Sequence, residues 1–324
     1  MNEKLQIKSH KDVSVIIPLY NEAESLLELH HQLTHTLQKN GLDYEVIFVD
    51  DGSTDTSGDV VEELCQQDEN CKLIQFRRNY GKSAALAAGF QAASGDRIVT
   101  MDADLQDDPE EIPRLLNKLD EGYDLVSGWK KDRHDPLIKR QTSKVYNFFT
   151  ALFSGIHLHD FNCGLKAYRW QVIRSLNVYG DMHRYLPVIA HGNGFRVTEL
   201  PVVHHARKFG RSKFGAARFF RGAFDLLTIT FLTRYKKRPL HLFGSLGLFT
   251  SIAGAIILIV LAYQRIFYHQ FLSNRPMLFL GVLLIIVGIQ FFSIGLLGEM
   301  LTEMKSASDT FAVRRTIGIS TEQR

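Results

Sequence analysis

Two stretches near the C-terminal end constrain this chain more than anything else in it. Residues 240–263, LHLFGSLGLFTSIAGAIILIVLAY, and residues 277–298, MLFLGVLLIIVGIQFFSIGLLG, contain no Asp, Glu, Lys or Arg. Each is long enough to cross a hydrocarbon core of about 30 Å as an α-helix. Buried core helices could share that composition, but two such runs rarely sit side by side in a soluble domain. The segment RYKKRP, 234–239, places four cations just before the first run. The connection 264–276 holds only Arg265 and Arg275, and Lys305, Arg314 and Arg315 follow the second run. This asymmetry predicts a two-span protein of the inner or plasma membrane, with both flanks and the long N-terminal part cytoplasmic and the short loop outside. The N-terminus, MNEKLQIKSHKD, is polar and shows no signal-peptide pattern.

Net charge over the 324 residues is +3, which gives no reason to expect a nucleic-acid partner. The average hides an asymmetry: residues 204–238 are strongly basic and residues 99–121 acidic. Cys65, Cys71 and Cys163 are too few and too scattered for a disulfide framework, and no pair has zinc-site spacing, so free thiols are expected.

The first 130 residues alternate between the two hydrophobic periods. Strands are expected at 13–19, 44–50, 72–76, 96–101 and 124–129, and helices at 22–39, 55–67, 83–93 and 109–119, with Asp55 and Pro109 at helix starts. Repeated βα units of this kind form a mainly parallel sheet with helices on both faces. Ligands of such sheets bind beyond the carboxyl ends of the strands, where Asp50-Asp51 and Asp102-Asp104 fall. A helix with an aromatic face is expected over 136–154 and a late strand over 195–205. Residues 206–235 mix Arg218 and Arg221 with Phe214, Phe219, Phe220 and Phe224. That composition suits a helix lying in a membrane interface, or one packed on the soluble domain. The expected domains are 1–205, 206–238, the spans within 239–300, and a cytoplasmic tail, 301–324.

The acidic run VTMDADLQDDPEE, 99–111, carries six carboxylates in thirteen positions. Asp102 and Asp104, one residue apart at a strand end, suit a hard cation, Mg2+ or Mn2+, that completes its shell with water and substrate phosphate. Gln106 could add an oxygen. A solvated acidic turn has the same spacing, and the position at the sheet's carboxyl edge favours the cation. Asp107, Asp108, Glu110 and Glu111 flank a proline-initiated helix start, where the helix dipole favours acids. The stretch RRNYGKSAALAAG, 77–89, contains GKS but has Phe76 where a phosphate loop needs glycine. It reads as small-residue helix packing, with Arg77 or Lys82 near a phosphate. His204 and His205 read as strand-end residues without a metal-site partner.

Together VIIPLYNE (15–22), VDDGSTD (49–55), RNYGKSAALAAG (78–89), DADLQDDPEEIP (102–113) and DFNCGLKAYR (160–169) resemble the successive motifs of family 2 glycosyltransferases with a GT-A fold. With RKFGRSKFG (207–215) and the two C-terminal runs, the pattern is similar to the polyisoprenyl-phosphate glycosyltransferases, over roughly residues 13–300. That group includes dolichyl-phosphate mannose synthases, bactoprenol glucosyltransferases and aminoarabinose transferases. The resemblance implies that Pro18, Tyr20, Glu22, Asp50 and Asp51 line a nucleoside pocket. It implies that Asp102, Asp104 and Gln106 hold the metal and the donor diphosphate. Asp160 lies where the family has an acid near the acceptor, and a structural hydrogen bond would suit it equally. Arg207, Ser212 and Lys213 would bind a lipid phosphate, with Arg211 and Arg140 as further candidates; generic attraction to anionic headgroups is the alternative for this stretch. The processive synthases' Q-x-x-R-W motif does not occur here, which implies transfer of a single sugar.

The implied activity is inverting transfer from a nucleotide-sugar donor to a polyprenyl phosphate. UDP-glucose and undecaprenyl phosphate are the leading pair, with GDP-mannose and dolichyl phosphate, or a UDP-aminoarabinose derivative, as alternatives. Rival readings are a transferase acting on diacylglycerol and a membrane scaffold without activity. Two lone spans per chain also leave room for a homo-oligomer.

Overall fold

A computed structural model describes residues 11–131, 150–151, 155–176, 182–206, 239–269, 271, 276–303 and 313–317. Five candidate site residues, Arg140, Arg207, Arg211, Ser212 and Lys213, lie outside the described residues, as do most of the expected helix 136–154 and the interfacial segment. The chain divides into two units, Met1–Leu226 with Thr310–Arg324, and Leu227–Asp309.

The first unit is built on one eight-stranded sheet. In chain order its strands are β1 Val13–Leu19, β2 Tyr44–Asp50, β3 Cys71–Phe76, β4 Arg97–Thr100, β5 Leu125–Lys130, β6 Lys166–Arg169, β7 Val197–Val202 and β8 Val313–Ile317. Their spatial order is β7-β5-β6-β4-β1-β2-β3-β8. The pairs β1–β2, β1–β4, β2–β3 and β5–β7 are parallel; β6 runs antiparallel to β4 and β5, and β8 antiparallel to β3. β1 and β2 are buried on both faces almost throughout, as strands covered from both sides must be.

Helices cover both faces. α1 (Ala23–Lys39), α2 (Ser57–Gln67) and α4 (Ile112–Asp120) pack on one through Leu26, Leu29, Leu33, Val61, Leu115 and Leu119. On the other lie α3 (Lys82–Ala92), α5 (Trp170–Ser175) and α6 (Leu186–Gly192), through Ala85, Leu86, Phe90, Val172 and Leu186. The buried stripe of α1 runs through Leu26, Leu29, Leu33 and Leu37, whereas Leu27 is 64% exposed. Adjacent helical positions diverge by about 100°, so only one of Leu26 and Leu27 can face the sheet. The helix expected over 109–119 begins as a tight turn, Pro109–Glu111, whose first amides are met by Asp108: its Oδ1 accepts from Glu110 at 2.9 Å. The N-cap of α2 falls one residue later than expected, at Thr56, and Asp55 just before it accepts the Ser57 amide at 3.0 Å. Cys65 and Cys71, scattered in sequence, bring their sulfurs within 3.1 Å as free thiols.

The second unit is a helical hairpin, α7 (Pro239–Tyr268) and α8 (Pro276–Glu303). Both helices are long and apolar enough to cross a membrane. Their outer surfaces are apolar and open: Phe249 and Phe279 are 74% and 75% exposed, a surface that water does not favour and lipid does. The inner surfaces meet backbone to backbone. A Cβ on Gly254 would lie 2.6 Å from the Gly281 carbonyl, and one on Gly288 would lie 2.6 Å from the Gly247 carbonyl. These glycines recur at seven-residue spacing, as close packing between apolar helices requires. After the hairpin the chain re-enters the first unit, where β8 pairs with β3, so the stretch expected as a tail contains a strand of the sheet.

Candidate active site

The carboxyl ends of β1, β2, β4, β5 and β7, with the start of the reversed β6, share one rim. Most of the candidate residues that the structure describes gather there. Tyr20 and Glu22 lie in the turn after β1, where Asn21 takes a left-handed backbone (φ 55°). The turn is tied to the loop after β2: the Asn21 amide donates to Ser53 Oγ at 2.9 Å, and the Glu22 amide to Ser57 Oγ at 3.0 Å. Asp50 is buried and accepts from the Ser53 amide at 2.8 Å and from Gln75 Nε2 at 2.9 Å. Asp51 accepts the Tyr80 and Gly81 amides at 2.7 and 2.8 Å. Burial nevertheless raises its pKa above the ordinary value, with the neighbouring Asp50 charge acting in the same direction. In this structure the pair therefore organises the walls at the ends of β2 and β3, where the resemblance placed a nucleoside.

The acidic loop follows β4. Leu105 has φ 58°, a conformation an L residue rarely adopts, and its side chain is buried in the core. Strain of this kind costs on the order of 1–3 kcal/mol and persists only when the surroundings enforce it. Here the buried leucine anchors a turn that leaves Asp102 and Asp104 partly exposed on either side of buried Ala103. The Gln106 amide donates to Asp104 Oδ1 at 3.3 Å. Asp102 receives the Lys82 ammonium from the start of α3. Gly164 makes room for that carboxylate, since a Cβ there would lie 2.6 Å from Asp102.

A pocket at this rim is lined by Pro18, Lys82, Asp102, Asn162, Lys166 and His183, among others. Lys166, at the start of β6, is buried; its ammonium donates to the Cys163 carbonyl, and burial lowers its pKa. Asp160 and Asp102 both act on it electrostatically. Asp160 is 1% exposed and accepts the Asn162 amide at 3.1 Å, so the DFNCG turn is held from within by the acid itself. His183 Nδ1 lies 3.0 Å from Ser83 Oγ.

Among the described residues no three His, Cys, Asp or Glu side chains converge as a metal-binding group. A divalent ion would instead rest on the Asp102 and Asp104 carboxylates and complete its shell with water and substrate phosphate, as Mg2+ and Mn2+ commonly do. The donor set suits it, being hard oxygens that are partly exposed; the Lys82 ammonium now on Asp102 Oδ1 would have to share that carboxylate with the ion.

Three positions differ from the sequence reading. Asp107 does not serve a helix start: it is buried beside Lys130, at 3.0 Å. Lys166 and His183 were not anticipated. A lysine two positions before Tyr168, and so on the same strand face, was the available signal for the first. Nothing in the sequence links His183 to a serine one hundred positions earlier.

The glycosyl transferase family 2 profile matches residues 14–176. The dodecaprenyl-phosphate galacturonate synthase of Rhizobium johnstonii is 36% identical over 312 residues, covering 94% of this chain and 92% of that protein. The undecaprenyl-phosphate 4-deoxy-4-formamido-L-arabinose transferase of Salmonella paratyphi B is 38% identical over 291 residues, covering 89% and 88%. Among solved structures, glucosyl-3-phosphoglycerate synthase from Mycobacterium tuberculosis, in complex with Mn2+, UDP-glucose and phosphoglyceric acid, superposes with a TM-score of 0.50 at 21% identity, covering 68% of this chain and 80% of that one. A mannosyltransferase from Pyrobaculum calidifontis, in complex with GDP-mannose and Mn2+, gives 0.50 at 18% identity, covering 92% and 77%. These structures share the expected fold, and the sequence relatives extend the likeness through the hairpin. The chain is a glycosyltransferase, and it belongs to glycosyl transferase family 2.

Proposed function

We infer that the protein transfers one sugar, with inversion, from a nucleotide-diphosphate donor to a polyprenyl phosphate at the cytoplasmic face of the membrane that holds its hairpin. One observation carries the chemistry: a pocket at the carboxyl rim is lined by Lys82, Asp102 and Lys166, with the Lys82 ammonium paired to the Asp102 carboxylate. Both curated relatives named above are polyprenyl-phosphate sugar transferases by name, and the two ligand-bound fold neighbours were solved with Mn2+ and a nucleotide sugar.

Breaking the bond from the anomeric carbon to the diphosphate builds negative charge on the leaving group. A divalent ion held by Asp102 and Asp104, with Gln106 beside them, would supply positive charge there. Lys82 adds fixed positive potential from the protein; Lys166 stands in the same pocket, its positive charge opposed by burial. A phosphate monoester acceptor, with its second pKa at about 6, is largely dianionic at neutral pH and needs placement more than a strong base. The basic stretch at 207–213, with Arg207, Arg211, Ser212 and Lys213, is the proposed holder of that phosphate, with Arg140 as a further cation.

Undecaprenyl phosphate remains the leading acceptor and a UDP-sugar the leading donor. For the sugar itself, a second reading stands beside glucose: an anionic sugar such as galacturonate, the sugar in the name of one of the two relatives. The test is release of nucleotide diphosphate from UDP-glucose, UDP-galacturonate, a UDP-formamidoarabinose and GDP-mannose, each with undecaprenyl phosphate or diacylglycerol. Release that depends on the polyprenyl phosphate is expected with one UDP-sugar; transfer only to diacylglycerol overturns the acceptor.

A further inference from the structure

Asp107 has no part in the chemistry above, yet it is the most completely buried acid of the loop that carries it. Its side chain is fully shielded, and neither oxygen makes a hydrogen bond of good geometry among the described residues. Its neighbours are the Lys130 ammonium at 3.0 Å and His204 Nδ1 at 3.7 Å. Burial opposes its ionisation, but the ammonium and His204 outweigh burial and hold its pKa below the ordinary carboxylate value.

Three pieces of chain meet at this charge: the loop after β4, the last residue of β5 and the segment after β7. A second set of bonds joins the first piece to the third. Asp107 and His204 form an isolated antiparallel bridge, and the His205 amide donates to the Gln106 carbonyl at 2.8 Å. Gln106 Nε2 donates back to the His205 carbonyl at 3.4 Å, and His205 Nε2 lies 3.0 Å from Asp108 Oδ2. Stability alone does not account for the buried pair, because apolar side chains of similar volume commonly serve a core as well or better.

We propose that Asp107 is a positioning residue: clamped between Lys130 and His204, it sets the register between the loop bearing Asp102, Asp104 and Gln106 and the strand end that runs into the basic stretch from Arg207 onward. This rests on the reading that the loop serves the donor and the basic stretch the acceptor. Each substrate has contacts of its own, so the clamp governs their alignment rather than their binding. Misplacing bound reactants by about 1 Å costs on the order of 10²-fold in rate.

The experiment uses the full chain in lipid nanodiscs with two variants, Asp107→Asn and the neutral double variant Asp107→Leu/Lys130→Met, which avoids a stranded buried ammonium. Hydrogen exchange without any ligand is expected to show the His205 amide exchanging about tenfold faster or more in both variants, with the β1 and β2 amides unchanged. Turnover should show kcat lower by roughly 30- to 100-fold and both KM values within about threefold of the parent. Unchanged exchange at His205, or parental kcat in the folded double variant, overturns the proposal. Should the acceptor prove to be another lipid, the exchange result still decides whether Asp107 joins the two segments.

Discussion

Two buried acids at opposite rims of the same sheet show how differently one scaffold can treat a carboxylate. Glu45, near the start of β2, is fully buried and fully served: Ser14 Oγ donates to it at 2.5 Å, Ser94 donates through its amide at 2.6 Å and its hydroxyl at 2.9 Å, and Lys72 pairs with it at 2.5 Å. Burial works against its charge, but the Lys72, Ser14 and Ser94 bonds prevail and lower its pKa. Asp51, at the far end of the same strand, has two amide donors and a second carboxylate beside it, and its pKa is raised. The amino rim spends its polar groups on completeness. The carboxyl rim leaves charge partly uncompensated.

If that division is right, substitutions at the two rims should separate activity from stability. The largest effect is expected for Asp102→Asn or Asp104→Asn: turnover lower by roughly 10³-fold with the thermal midpoint nearly unchanged, since Asp102 and Lys82 are both partly exposed. Nucleotide-release kinetics alongside calorimetry would show it, and a chelator should reproduce the loss. Next comes Glu45→Ala, which strands Lys72 and three other donors; about 3 kcal/mol of stability should go, with kcat of the folded fraction retained. Urea midpoints would measure it.

The pH dependence sharpens the contrast further, because the two acids carry opposite signs. Glu45 has a lowered folded pKa, so its contribution is complete above its ordinary value of 4.5 and fades as pH falls through the folded value. Asp51 has a raised folded pKa, so its contribution is greatest below its ordinary value of 3.8 and falls as pH rises through the folded value. Urea midpoints of Glu45→Gln should therefore lose pH dependence on the acid side, and those of Asp51→Asn should gain on the parent as pH rises. The smallest effect is Ser14→Ala, about 1 kcal/mol by the same titration, because one donor to Glu45 and the acceptor of the Gly95 amide disappear while the ion pair survives.

The same contrast explains what could be read from the chain beforehand. β1 to β5 and the two apolar helices announce themselves through runs of like side chains, and burial follows from periodicity. Asp102 and Asp104 were legible because a strand end and a one-residue spacing suffice to locate them. β6 was not, since Lys166–Arg169 is four residues long and carries a cation at each end. β8 was masked by two adjacent arginines in VRRTI. The environment of Asp107 depends on Lys130 at the end of β5 and His204 in the segment after β7, and no local pattern distinguishes it from Asp108, which does cap a turn.

The return of the chain to β8 has a consequence of parity. Residues 313–317 pair with residues 73–76, so the polypeptide must come back to the compartment it left. Any number of bilayer crossings made between those two stretches is therefore even, whichever leaflet is approached first. Reporters spliced in ahead of α7 and behind α8 should light up together or stay dark together.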